Sequence, residues 1–143
     1  IASDKTGTLT CNELTVQEVF LPDGARWRVT GVGYEPVGAF ECVAGDAEAE
    51  NQPALQVLLE IAVACNEGDL HRRDGRWTWR GDPTDIALLA MAGKGGIERE
   101  HFLVRHPAVN AIPFEPEHRF AAHASGPPCI YAAVLRRVLA SLS

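Results

Sequence analysis

Long apolar runs are missing from this 143-residue sequence. No stretch of about 18 apolar residues occurs, so no membrane-crossing helix is expected. Positive charge is also scarce: 13 Lys and Arg stand against 19 Asp and Glu, for a net charge of -6. That balance argues against a nucleic-acid partner, whose phosphates need a basic face. The cysteines Cys11, Cys42, Cys65 and Cys129 include no C-x-x-C pair, so neither a zinc site nor a disulfide framework is signalled. They read as small buried apolar residues in a reducing compartment. His71, His101, His106, His118 and His123 also lack metal-ligand spacing. There is no signal peptide, no internal repeat and no low-complexity segment. The first residue is not Met and the chain starts inside a motif, so it reads as a piece of a longer protein. What remains is 46% apolar, enough to build a real core in one domain and to exclude wholesale disorder.

The most informative stretch is Asp4-Lys5-Thr6-Gly7-Thr8-Leu9-Thr10. Ile1-Ala2 reads as the end of a buried strand, and Gly7 lets the backbone turn tightly. A carboxylate at the carboxyl end of such a strand can attack phosphorus and become an aspartyl phosphate. Thr hydroxyls and loop N–H groups beside it can hold phosphate oxygens, and the same carboxylate can ligate Mg²⁺. An isolated Asp-Lys-Thr would instead be a solvated turn leading into a Thr-rich strand.

Downstream, Leu14 to Phe20 predicts a strand, Pro22-Asp23-Gly24 a turn, and Arg26 to Val32 the partner strand of a hairpin. Residues 30–36 read as turn and edge packing, and the acidic stretch from Gly45 to Pro53 as a surface loop. From Gln52 to Cys65, Leu55, Leu58, Leu59, Ala62 and Val63 recur at helical spacing, and Pro53 suits the first turn. Asn66-Glu67-Gly68 ends that helix. Asp69 to Gly75 reads as a charged loop, and Arg76 to Arg80 as a short strand whose Trp77 and Trp79 share a face for packing.

Gly81-Asp82-Pro83-Thr84-Asp85 predicts a helix start: Asp82 as N-cap, Pro83 at the first position, Asp85 three residues after the cap. The helix runs through Ala92 and stops at Gly93, Gly95 and Gly96. Ile97 to Arg105 is a weakly patterned second helix. In Phe114-Glu115-Pro116-Glu117-His118-Arg119 an aromatic precedes a cation by five residues, a pair that can stack a base and attend its phosphates. Taken alone, it is also a core Phe and a solvated Arg. Cys129-Ile130-Tyr131 reads as a strand, and Val134, Leu135, Val138 and Leu139 as a short amphipathic helix.

Three of these blocks resemble, in order, motifs of one family. Ser3 to Thr10 is similar to the phosphorylation motif of P-type ATPases, the ATP-driven cation pumps, with seven consecutive matched residues from Asp4 to Thr10. Gly81 to Leu88 resembles the family's Gly-Asp/Glu-Pro-Thr-Glu-x-Ala-Leu motif, with Asp85 one methylene shorter than the usual Glu. Phe114 to Ala121 is similar to its adenine-binding segment and looks most like bacterial calcium-type pumps. There Arg119 stands at a usual Lys, Pro116 at a small polar residue and Ala121 at a common Met.

The resemblance implies an α/β (α+β) fold. Residues 1–12 would begin a haloacid-dehalogenase-like phosphorylation domain, and residues 13–143 would form a nucleotide-binding domain with a largely antiparallel twisted sheet flanked by helices. It implies that Asp4 accepts the γ-phosphoryl of ATP, that Lys5 shapes the loop, and that Thr6 helps bind the phosphoryl group. Asp4 and the Thr6 carbonyl would ligate Mg²⁺. Asp85, Phe114 and Arg119 would contact ATP. The partners implied are the remaining domains of the same pump and a cation moved through an absent membrane domain, with this part on the cytoplasmic side. The family's Lys-Gly-Ala is replaced by Ala132-Ala133-Val134-Leu135. That departure keeps a non-catalytic nucleotide-binding remnant open as an alternative. A haloacid-dehalogenase-type phosphatase is weaker, because Thr6 stands where that chemistry wants a second Asp.

Overall fold

The computed structural model describes residues 13–45, 52–107, 109–113, 115, 117, 120–124 and 130–134. The expected hairpin forms first. Strands β1 (Glu18–Phe20) and β2 (Arg26–Val29) pair antiparallel, with Val19 opposite Trp27. Asp23 closes the turn by accepting from the Ala25 N–H at 2.9 Å, the local bond that favours Asp in turns. The Arg26 guanidinium grips both oxygens of Glu18 at 2.8 and 2.9 Å, and that contact holds the Glu18 carboxyl below its ordinary range. Strand β3 (Phe40–Ala44) joins β2 on the other side.

Helix α1 (Pro53–Ala64) follows the spacing read from the sequence: Leu55, Leu59, Ala62 and Val63 are buried. Positions i, i+4, i+7 and i+8 make one stripe, and each buried Leu is worth about 1.5–3 kcal/mol of transfer free energy. Asp69 to Gly75, read as a charged loop, is instead strand β4 (Asp69–Arg73) and the tip of a hairpin with β5 (Arg76–Arg80). Asp74 and Gly75 both have positive φ, 51° and 78°, the pattern of the tight turn that suits strand twist. No alternation marks β4: its exposed residues Asp69, Arg72 and Arg73 are all charged, and the half-buried Leu70 and His71 stand side by side. Trp77 is half-buried, and Trp79 stays 45% exposed. The Trp79 ring meets the buried Tyr34 edge-on at 5.2 Å.

Helix α2 (Pro83–Lys94) starts where the capping residues place it and runs two residues past Ala92. Six of its residues, from Ile86 to Met91 and Ala92 but not Leu88, are buried, which makes it the central helix. It packs on α1 and β4, and α1 also meets helix α3 (Arg99–Arg105). Gly93 lets the Pro36 ring lie against α2: a Cβ there would come within 2.5 Å of it. The last sheet comprises β6 (Asn110–Ile112), β7 (Phe120–Ala124) and β8 (Ile130–Val134).

All pairings among the described residues are antiparallel, as expected, but the strands form three separate sheets of three, two and three strands rather than one. Two further expectations need correction. Val134, assigned to a terminal amphipathic helix, belongs to β8; the rest of that helix lies outside the described residues. Cys42 is exposed, not buried, because β3 is an edge strand; its thiol donates to the Gly45 carbonyl at 3.2 Å.

Candidate functional site

The start of α2 is built by its own sequence. Asp82 has extended backbone angles, φ -66° and ψ 139°, and accepts from the Thr84 N–H at 2.8 Å. Pro83 follows, where a missing N–H costs nothing. Asp85 does not reach back to complete a reciprocal cap. It sits half-buried against the loop before β4, where a Cβ on Gly68 would come 3.2 Å from Asp85 Cβ. Burial pushes the Asp85 carboxyl above its ordinary range, and the negative charges of Asp82 and Glu67 add to that. The Glu67 main-chain N–H and the Arg99 guanidinium pull the other way, more weakly.

Beneath Asp85 sits Asn66, only 5% exposed. Its Nδ2 donates to the Ala62 carbonyl at 3.1 Å and to the Asp85 carbonyl at 2.9 Å. Its Oδ1 accepts from the Gly68 N–H at 2.7 Å, and its main-chain oxygen accepts from Arg99 Nη2 at 3.0 Å. The end of α1, the loop into β4, the start of α2 and α3 therefore meet at one residue. Gly68 is packed so closely that a Cβ would lie 2.9 Å from both Asn66 Oδ1 and Ile86 Cδ1.

The arrangement leaves a half-buried carboxylate in the first turn of a capped helix. Such a group suits hydrogen bonding to an amino group on a ligand. Among the described residues no group of three His, Cys, Asp or Glu side chains could hold a metal ion. Two clefts flank the helices. One, of about 320 Å³, lies between α1 and α3 around Phe102; the other, of about 370 Å³, lies between the β4–β5 hairpin and α2 around Trp77 and Leu89. Neither includes Asp85. Of the site residues expected from sequence, Asp85 is placed; Asp4, Lys5, Thr6, Phe114 and Arg119 lie outside the described residues. Sequence reading missed Asn66, Glu67 and Arg99 as parts of this site. The signal for Asn66 was there: an Asn two residues before a Gly, directly after a helix, is the pattern of a side-chain turn.

A family model described as the P-type ATPase cytoplasmic domain N matches residues 54–125, just over half of the chain. The chain belongs to that family. The match starts in α1, spans the Asp85 junction and ends beyond β7. Relatives of this N domain carry transport names. The calcium-transporting ATPase of Bacillus subtilis (strain 168) is 39% identical over 115 residues, covering 80% of this chain and 13% of the relative. The cation-transporting ATPase pma1 of Synechocystis is 39% identical over 128 residues, 85% of this chain and 14% of the relative. The calcium-transporting ATPase type 2C member 1 of Bos taurus is 42% identical over 99 residues, 68% and 10%. This N-domain chain thus spans about a seventh or less of the length of these relatives. Among its described residues no helix is long and apolar enough to cross a membrane.

The state of Asp85 in this N domain sets a testable pH dependence. The folded chain holds the Asp85 proton to higher pH than the unfolded chain does. Between the two pKa values it therefore binds more protons, and stability falls as pH rises through that window. Asp85→Asn keeps the size and one acceptor oxygen and removes the charge. Urea unfolding is expected to show the variant more stable at pH 7, on the order of 0.5 kcal/mol given the solvent access of the carboxylate. The gain should vanish below the ordinary Asp pKa of 3.8. A variant equally stable or weaker at pH 7 contradicts the burial account.

Proposed function

We propose that this chain is the nucleotide-binding part of an ATP-driven cation pump of the membrane, with the start of the pump's phosphorylation domain at residues 1–12. Residues 13–143 bind ATP on the cytoplasmic side. Asp85 accepts from the adenine amino group, Phe114 stacks on the base, and Arg119 attends the base or phosphates. Asp4 takes the γ-phosphoryl, in a loop shaped by Lys5 and Thr6. Mg²⁺ would be held by the Asp4 carboxylate and the Thr6 carbonyl, a hard-oxygen donor set that suits this ion, and would neutralise phosphate charge. Little covalent chemistry is asked of the other residues: they bind, orient and bring the γ-phosphate into line. The transported cation is handled by parts of the pump outside this chain.

The observation that carries the reading is the family match over residues 54–125. The half-buried Asp85 carboxylate at the start of α2 agrees with it chemically. Titration calorimetry is the test. The chain is expected to bind ATP weakly, in the high micromolar to millimolar range, and Asp85→Asn to weaken it about fivefold by replacing a charge-assisted bond with a neutral one. Steady ATP hydrolysis by the chain alone is not expected. Phosphate release that survives Asp4→Asn would count against the reading. A non-catalytic nucleotide-binding remnant is the second reading, favoured by Ala132-Ala133 in place of the family's Lys-Gly. Acid-stable phosphate trapped on Asp4 in the longer protein decides for the pump, and its absence decides for the remnant.

A further inference from the structure

We infer that Asn66 and Arg99 are positioning residues that hold the Asp85 carboxylate for recognition of the adenine amino group. This rests on the reading that Asp85 meets the base. Both Nδ2 protons of Asn66 and its Oδ1 are engaged inside the protein. One Nδ2 proton goes to the last turn of α1 at the Ala62 carbonyl, the other to the first turn of α2 at the Asp85 carbonyl. The distance between the two helix ends is thereby set by one rigid amide. Helix α2 does not need this bond to begin, because Asp82 and Pro83 already cap it. The added bond falls on the one residue of that turn whose side chain is proposed to meet ligand.

The same residue fixes the loop beside Asp85. Asn66 Oδ1 clamps the Gly68 N–H, and Gly68 packs so near that a Cβ on it would lie 3.2 Å from Asp85 Cβ, so the wall against which the Asp85 side chain rests is held in place. Arg99 fastens this loop from α3 through the Asn66 carbonyl. Its Nε is buried with no partner among the described residues. A purely structural residue would shed that cost, since an apolar side chain could fill similar volume. What the guanidinium adds is charge. The ionisable groups acting on Asp85 are Asp82 in its own turn, Glu67 in the loop and Arg99 on α3. Arg99 is the cation among them and favours the charged form of the carboxylate beside two acids.

An ionised, fixed carboxylate discriminates between bases. Adenine offers an amino donor where guanine offers a carbonyl oxygen, which the carboxylate repels. The ratio of ATP to GTP affinity therefore reads the placement of Asp85, whereas a general loss of fold lowers both affinities together. The experiment measures dissociation constants of ATP and GTP for the chain and for Asp85→Asn, Asn66→Ser, Arg99→Met and Arg99→Lys, with urea unfolding alongside. Asn66→Ser and Arg99→Met are expected to shrink the ATP:GTP ratio about tenfold, toward that of Asp85→Asn, with GTP affinity within about twofold. Arg99→Lys, which keeps the charge, should recover most of the ratio. In Arg99→Met the pH at which ATP binding is half-maximal should move upward. If Asp85→Asn shrinks the ratio but Asn66→Ser and Arg99→Met lower both affinities equally, or neither, the inference is overturned and the adenine reading stands. An unchanged ratio in Asp85→Asn overturns the adenine reading itself, and the inference with it. Arg99 lies at a partly exposed site, so its variants answer the question even if Asn66→Ser fails to fold.

Discussion

Trp27→Ala is expected to lose about 3–5 kcal/mol of stability, a large part of the roughly 5–15 kcal/mol available to a domain. Trp27 is 1% exposed. It sits in the central strand of the first sheet, opposite Val19 on one side and Cys42 on the other. Removing the indole leaves a cavity that a sheet flanked on both edges cannot collapse to fill. Urea unfolding followed by far-UV circular dichroism measures the loss. The informative control is Trp27→Phe. The indole Nε1 has no hydrogen-bond partner among the described residues, so phenylalanine removes an unsatisfied donor along with part of the ring. Trp27→Phe should cost less than half as much as Trp27→Ala. If the two are equal, the indole N–H has a partner that contributes to stability.

Gly31→Ala is expected to cost about 3–4 kcal/mol, while Gly24→Ala costs about 1–2 kcal/mol. The two glycines have nearly the same backbone angle, φ +88° and +89°, so the strain of a side chain at positive φ is common to both. They differ in space. A Cβ on Gly24 meets nothing within 4 Å; on Gly31 it would lie 2.2 Å from the Val37 carbonyl oxygen and 3.3 Å from Lys94 Cε. The loop cannot easily yield, because the Thr30 N–H donates to the Ala39 carbonyl at 2.9 Å and the Ala39 N–H to Thr30 Oγ1 at 2.8 Å. Thermal unfolding of both variants separates backbone strain from collision. Equal shifts would mean the loop opens without cost.

The helices were legible because their signals are local. The stripe of Leu55, Leu59, Ala62 and Val63 and the Asp82-Pro83 cap need no knowledge of the rest of the chain. Strand β4 was not legible, because a strand is recognised by alternation and its exposed face and its margins are charged alike. Asp-Gly at positions 74–75 was the better guide, since the turn rather than the strands specifies that hairpin. The division into three sheets depends on which edges meet in space, which no single segment encodes. The site divides in the same way. Asp85 could be found from its motif, but its burial comes from the end of α1 and the loop into β4 packing against it. Asn66 was readable as a helix stop; its bond to the Asp85 carbonyl, 19 residues away, was not.

Among the described residues every strand pairs with a neighbour in the chain order, in all five pairings. Little chain entropy is lost in bringing such neighbours together, so each meander can assemble before the others. The slow part of acquiring the native state then falls to α1, which touches α2, α3 and the last described strand, β8. Refolding should be quick for a protein rich in β-structure, with its barrier at the docking of that one helix rather than at the zippering of any sheet.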